Sequence, residues 1–447
     1  MGTGGERRAF MNRFCSVAVF SSTAWRCARC AWIVLVILPV VMLVCGQLCA
    51  GDWPQILGPG RNGRAEAETL LTSWPQNGPR QSWIYKLGAG YAGPAVVGGR
   101  VVIFHRVGDV ERVEALDAAT GELLWKTDFP AFYRGGINSD KGPRCVPLVY
   151  QQNAYVFGAA GDLHSVSLET GKKQWSRNTY ADFDGDEGYF GAGSTPIVAD
   201  NKLLVNVGGR NGAGLVAFQL DTGETAWKAT DERASYSSPT TATIDGRPAV
   251  IFVTRMNAIA VDPRDGGVLL RFPFGRVGPT VNAATPLVFD GKLFLSSSYG
   301  IGAVMARIGS DRLEPLWSND NVMSSQYTTC VYEDGYLYGV DGREDVGGAR
   351  LRSIDARNAT VQWTVEDFGV GHLILADHKL LILRVDGHLL LAEASPKAFQ
   401  KLAEATVCDH VTRAMPALSR GRLFIRSNQP DGSGVLKCLV VGRLSDG

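Results

Sequence analysis

Tyr91, Arg144, Tyr236 and Arg413 each stand three residues ahead of a proline: Pro94, Pro147, Pro239 and Pro416. Tyr327 takes the same place by alignment, and Gly193, Ala283 and Val370 complete the set. Two guanidinium groups and three phenols at one level suit a definite chemistry. They can grip an anionic or sugar-like ligand through charge-assisted hydrogen bonds and stacking. Asn282, next to Ala283, and Arg255, in "FVTRMNAIAV", are expected to reach the same level. The candidate ligand-binding residues are therefore Arg144, Tyr236, Arg255, Asn282, Tyr327 and Arg413. The same residue types also line water-filled channels, and the pattern alone admits both readings. No residue is assigned a catalytic or metal-binding role.

Other chemistry is weaker. "DFDGDEG" (182–188) sets Asp182, Asp184 and Asp186 at alternate positions, followed by Glu187. Oxygen ligands at that spacing can wrap calcium, but the later glutamate of a twelve-residue calcium loop is missing. The stretch reads as a solvated acidic loop. The six histidines form no HExxH, and the chain has no GxSxG, phosphate loop or dinucleotide fingerprint.

The elements that must position these residues follow from a repeat. "ALDAATGELLW" (115–125), "SLETGKKQW" (167–175) and "QLDTGETAW" (219–227) are one hairpin written three times. Its turn carries Thr-Gly because glycine tolerates positive φ. Aligned on the last strand, the tryptophan column reads Trp83, Trp125, Trp175, Trp227, Leu270, Trp317, Trp363 and Gln400, at gaps of 37 to 52 residues. That is the period of a four-stranded propeller blade. "TPIVADNKLLVNV", "TPLVFDGKLFLSS" and "MPALSRGRLFIRS" supply the other two strands. The fold class is all-β: an eight-bladed β-propeller of antiparallel blades. The last blade lacks one strand, and "RQSWIYKL" (80–87) is expected to supply it, which removes an exposed edge. A longer loop is expected in "RIGSDRLEPLW", where the Thr-Gly form is missing.

These repeats resemble the pyrroloquinoline-quinone-like (PQQ-like) β-propeller repeat family over about residues 52 to 445. "DWPQILGPGRNG" (52–63) is similar to the start of exported bacterial members, with Leu57 where many carry arginine. The resemblance implies the propeller. For function it implies two kinds of relative: quinone-dependent dehydrogenases that use PQQ with calcium, and a scaffold lipoprotein of outer-membrane assembly. The adjacent-cysteine pair of the dehydrogenases has no counterpart, since no two cysteines are neighbours. The expectation is a non-catalytic binding or scaffold protein without a cofactor, taking a protein or small-molecule ligand at a propeller face. A quinone-dependent oxidoreductase and a carbohydrate-binding or carbohydrate-acting propeller are the alternatives.

Bulk properties set the remaining limits. The net charge is +1. Residues 1–50 hold Arg7, Arg8, Arg13, Arg26 and Arg29 against Glu6, a balance of +4, which leaves about −3 for the rest. No basic face is implied, so nucleic acid is not an expected partner. "AWIVLVILPVVMLV" (31–44) lies in an uncharged run behind Arg26 and Arg29. It reads as an export signal, or as a retained membrane tether through residues 31–50. The expected location is periplasmic or cell-envelope. The expected organisation is a signal or anchor over 1–50, an N-terminal segment over 51–79 and the propeller over 80–447. Five of the nine cysteines lie in the first 50 residues; Cys145, Cys330, Cys408 and Cys438 do not. A Cys408–Cys438 bridge and four separate buried thiols both fit the spacing.

Overall fold

The computed structural model describes residues 51–444 together with Met1. The expected signal or anchor lies outside the described residues. Among the described residues, no helix is long and apolar enough to cross a membrane. Among these residues one short helix, Thr179–Phe183, interrupts the strands, its first turn capped by the Asn178 side chain.

Eight separate four-stranded antiparallel sheets form the ring. Their innermost strands begin at Ala95, Leu148, Ile197, Thr240, Leu287, Val331, Gly371 and Ala417, in blades one to eight. The turn after each inner strand is a tight one. Asp200 and Asn201 (φ 48° and 55°) and Asp377 and His378 (φ 50° and 56°) take the paired positive φ of a type I′ turn. Blade eight closes as expected. Its outermost strand is Arg80–Leu87, paired with Gly434–Val440 from Leu87↔Gly434 to Arg80↔Val440.

The outer strand explains the repeated hairpin. In all eight blades a β-bulge interrupts the pairing of the two outer strands at one point, and the residue beside it faces the next blade. In six blades that residue is tryptophan. Each indole N–H donates to a carbonyl of the next blade's hairpin turn: Trp83 to Ala118, Trp125 to Leu168, Trp175 to Leu220, Trp227 to Pro263, Trp317 to Ala356 and Trp363 to Ser395, at 2.8 to 3.1 Å. The Gly of the turn has a second duty beyond positive φ. A Cβ on Gly121, Gly171, Gly223 or Gly266 would stand 2.4 to 2.6 Å from the indole above it.

Two expectations fail. Blade seven places Ala403, opposite Leu391, at the tryptophan position, and not Gln400. Its turn carries Ser395 and Pro396 in place of Thr-Gly and delays the outer strand to Lys401. Trp74, from the N-terminal segment, packs against the same core cluster as Ala403. The loop in "RIGSDRLEPLW" is not longer. Gly302–Ile308 and Leu313–Asn319 leave four residues between them, whereas Val110–Asp117 and Leu123–Pro130 leave five.

The core is a set of seams, not a single centre. Blades two and three share one apolar cluster, three and four another, and four and five a third. A sheet buried on both faces needs such a neighbour on each side. Cys145, Cys330, Cys408 and Cys438 are free, buried thiols.

Residues 51–71 cross the end of the ring where the inner-strand turns lie. Trp53 pairs with Val96 of blade one, Ala65 donates to Leu375 O of blade seven, and Glu68 accepts from Arg420 and Gly421 of blade eight. Ile56 and Leu57 pack against Val146 and Met415, which directly precede inner-strand prolines. The segment therefore stoppers that end of the channel. Arg61 reaches the same inner-strand level, and its guanidinium donates to the carbonyls of Thr195, Pro196 and Pro239 and, through Nε, to Gln55 Oε1. Burial lowers its pKa to about 9, still cationic at neutral pH.

Candidate functional site

The residues ahead of the inner-strand prolines lie at the other end of the ring, its open mouth. An antiparallel blade also sends its second hairpin and its link to the next blade to that end. The mouth therefore collects side chains from two kinds of loop.

Three candidate residues join one network. Arg413 makes a forked pair with Glu344, with Nη2–Oε1 2.5 Å and Nε–Oε2 2.9 Å. Tyr327 donates to the same carboxylate at 2.6 Å. Burial alone would push Glu344 up, but the bonds from Arg413 and Tyr327 outweigh it and hold the carboxyl below its usual value. Arg413 and Arg144 both lie 5.8 Å from the centre of the Tyr91 ring. Arg144 also stacks 5.2 Å from Tyr133 and donates to the carbonyls of Asp140 and Gly142. This network runs from blade six to blade two.

The other three sit apart from it. Tyr236 accepts hydrogen bonds from the N–H groups of Tyr189 and Phe190, both at 2.9 Å. Arg255 donates to Thr280 Oγ1 at 2.7 Å and to Gly278 O. Both line a cavity of about 90 Å³ between the links that enter blades three and four. Asn282 does not reach the mouth. It is 1% exposed, and its Nδ2 donates to Thr254 O and Phe274 O. Its backbone accepts from Tyr236 and Ser237, so it splices two links together.

Sequence reasoning missed Glu344, the carboxylate at the centre of the network. It lies in the hairpin "DGREDVGG", which the repeat does not constrain. It also missed Arg426, fully buried and donating to Gly88 O and Ala92 O. The acidic loop behaves as a solvated one. Asp182, Asp184 and Asp186 pair separately with Arg177, Arg210 and Arg233. Among the described residues, no cluster of His, Cys, Asp and Glu could hold a metal ion.

The chain is similar to proteins of two kinds. The quinohemoprotein alcohol dehydrogenase ADH-IIG of Pseudomonas putida is 30% identical over 154 residues, 33% of this chain and 21% of its own length. The chain thus spans about a fifth of that relative. The outer membrane protein assembly factor BamB of Moranella endobia is 23% identical over 310 residues, 64% of this chain and 71% of its own. The crystal structure of the quinohemoprotein alcohol dehydrogenase of Comamonas testosteroni superposes with a TM-score of 0.67 at 15% identity, covering 89% of this chain and 82% of that one. At that identity the likeness is one of fold. The family model described as outer membrane protein assembly factor BamB matches residues 67–183 and 109–365. Those matches cover most of the ring, and the chain belongs to that family.

Proposed function

We propose that this protein is an exported, non-catalytic scaffold that docks a partner protein on the mouth face. The observation that carries this reading is a crown of exposed apolar tips on that face. Phe132, Ile137, Val277 and Val346 are 56%, 73%, 85% and 68% exposed. All four sit in links between blades or in second hairpins, the loops that emerge at the mouth. Exposed apolar groups around a polar centre mark protein interaction surfaces. The BamB relatives, named for outer-membrane assembly, support the same reading and an envelope location.

The quinoprotein relatives raise PQQ with calcium as the alternative. A calcium ion would need carboxylate oxygens free to ligate it. At the mouth Glu344 is held by Arg413 and Tyr327, Asp140 by Arg144 and the Gly90 N–H, and Asp186 by Arg233. Glu187 and Glu111 make no salt bridge, but among the described residues neither joins a group of acidic, histidine or cysteine side chains that could hold a metal ion, and no calcium–quinone chemistry is assigned.

The test has two arms. The purified protein is mixed with PQQ and calcium, and bound-chromophore absorbance and dye-linked alcohol oxidation are measured. Neither is expected, and either would overturn the reading. In the second arm a photo-crosslinking residue replaces Val277 in cells. A discrete envelope-protein adduct is expected, and Ile137→Asp should abolish it.

A further inference from the structure

The fifth residue of each second strand occupies one repeated position of the blade. Five blades fill it with an apolar side chain: Phe104, Phe157, Ile251, Val340 and Leu383. Blade five has Ser296, whose hydroxyl donates to Met323 O at 2.7 Å. Blade eight has Arg426, which donates to backbone carbonyls. Blade three has Asn206. It is 3% exposed, and neither its Oδ1 nor its Nδ2 meets a hydrogen-bonding group of the protein. Because both ends are free, exchanging the oxygen and nitrogen changes nothing. A buried amide without partners is costly, and an apolar residue there is what most blades use.

Asn206 lines the cavity that also holds Tyr236, Glu187 and Arg255. The Tyr236 oxygen already accepts two backbone N–H groups, so its own proton is left to donate. Burial raises its pKa to about 12, which keeps that proton in place. Glu187 also lines the cavity.

We propose that this cavity binds a terminal carboxamide, of the kind carried by asparagine and glutamine side chains. Asn206 offers a donor and an acceptor side by side, and another amide answers both at once. The Tyr236 hydroxyl then serves the second lone pair of the bound carbonyl, and Glu187 accepts the second amide proton. A carboxylate would leave Asn206 Oδ1 unpaired and would face Glu187. An ammonium group would leave Asn206 Nδ2 unpaired. The assignment does not depend on the mouth being a docking face.

The probe is propionamide, with propionate as its near-isosteric control, titrated into the full chain. The readout is the side-chain NH₂ signal of Asn206 in a nitrogen-resolved NMR spectrum. Saturable shifts with propionamide in the millimolar range are expected, in keeping with the limited binding energy of a few atoms. Propionate should bind at least tenfold more weakly. Asn206→Leu installs a residue that blade seven already uses there. It should melt at or above the parent temperature and lose the propionamide response at the other cavity residues. Equal shifts with both probes, no shift at Asn206, or a response that survives in the folded leucine variant would each overturn the proposal. If that variant fails to fold, the two-probe comparison on the parent still decides.

Discussion

Glu344 and Glu111 are two carboxylates near the mouth with opposite histories. Glu344 sits under Arg413 and Tyr327 and is held below the ordinary value of 4.5 despite its burial. In acid the unfolded chain takes up this proton before the folded one does. Its contribution is complete above the unfolded value and is lost as pH falls through the depressed folded value. Glu344→Gln should therefore flatten the acid limb of a plot of melting temperature against pH. Arg413→Ala should cost about 1 kcal/mol at pH 7, a charged hydrogen bond discounted for partial exposure, as read from urea unfolding. Glu111 has only the Ala159 N–H as a direct partner, at 3.1 Å, and burial raises it to about 7. Here the folded state holds the proton more tightly, so stability is complete below 4.5 and is lost as pH rises through about 7. Glu111→Gln should melt level with the parent at pH 5 and above it at pH 8. Equal melting temperatures at pH 8 would show that the carboxylate is better solvated than its burial implies. Asn282 shows why the sequence misleads at this scale. It reads as a mouth residue because it neighbours the position of Ala283, but successive residues of an extended chain point to opposite sides.

The tryptophan-on-glycine contact between blades is the unit that repeats. Gly223 tests it, since its turn has φ +70° and a Cβ would lie 2.6 Å from the Trp175 ring. Gly212 supplies the comparison, with φ +78° and no atom within 4 Å of the place a Cβ would take. Gly212→Ala should cost about 1 kcal/mol, the penalty of a left-handed backbone alone. Gly223→Ala should cost about 2–3 kcal/mol, because the seam must also open. Similar urea midpoints for the two variants would mean that the indole shifts without cost. This unit is legible in the sequence because tryptophan and Thr-Gly recur together, each needing the other. Ala403 is not legible, since a small residue behind a Ser-Pro turn carries neither mark. Glu344 is hidden for a related reason. The second hairpins are not clamped between blades, so each makes its own contacts, as Glu344 does with Arg413 and Tyr327, and they keep no common pattern. Arg61 bonds to carbonyls 134 to 178 residues away, a distance no local pattern spans.

The whole ring depends on blade eight, the one sheet assembled from both ends of the described chain. Trp83 holds it to blade one through the Ala118 carbonyl and the surface of Gly121. Trp83→Ala should cost about 3–5 kcal/mol, the range for emptying a buried aromatic site. Removing residues 1–87 should do far more, because it withdraws both the closing strand and the stopper at the channel floor. A truncated protein that melts with the parent would refute that arrangement. The eight-blade count and the closure are readable from spacing alone, because a radial repeat turns position in the chain into position on a circle. The closure also governs the order of events during synthesis. Residues 80–87 are made before the other seven blades, yet their partner at 434–440 is made after them. Until then that strand has no mate. A message cut short, or a ribosome that stops early, leaves it permanently unmatched and open to proteases and chaperones. Pairing of these two strands thus certifies that every blade between them has been made.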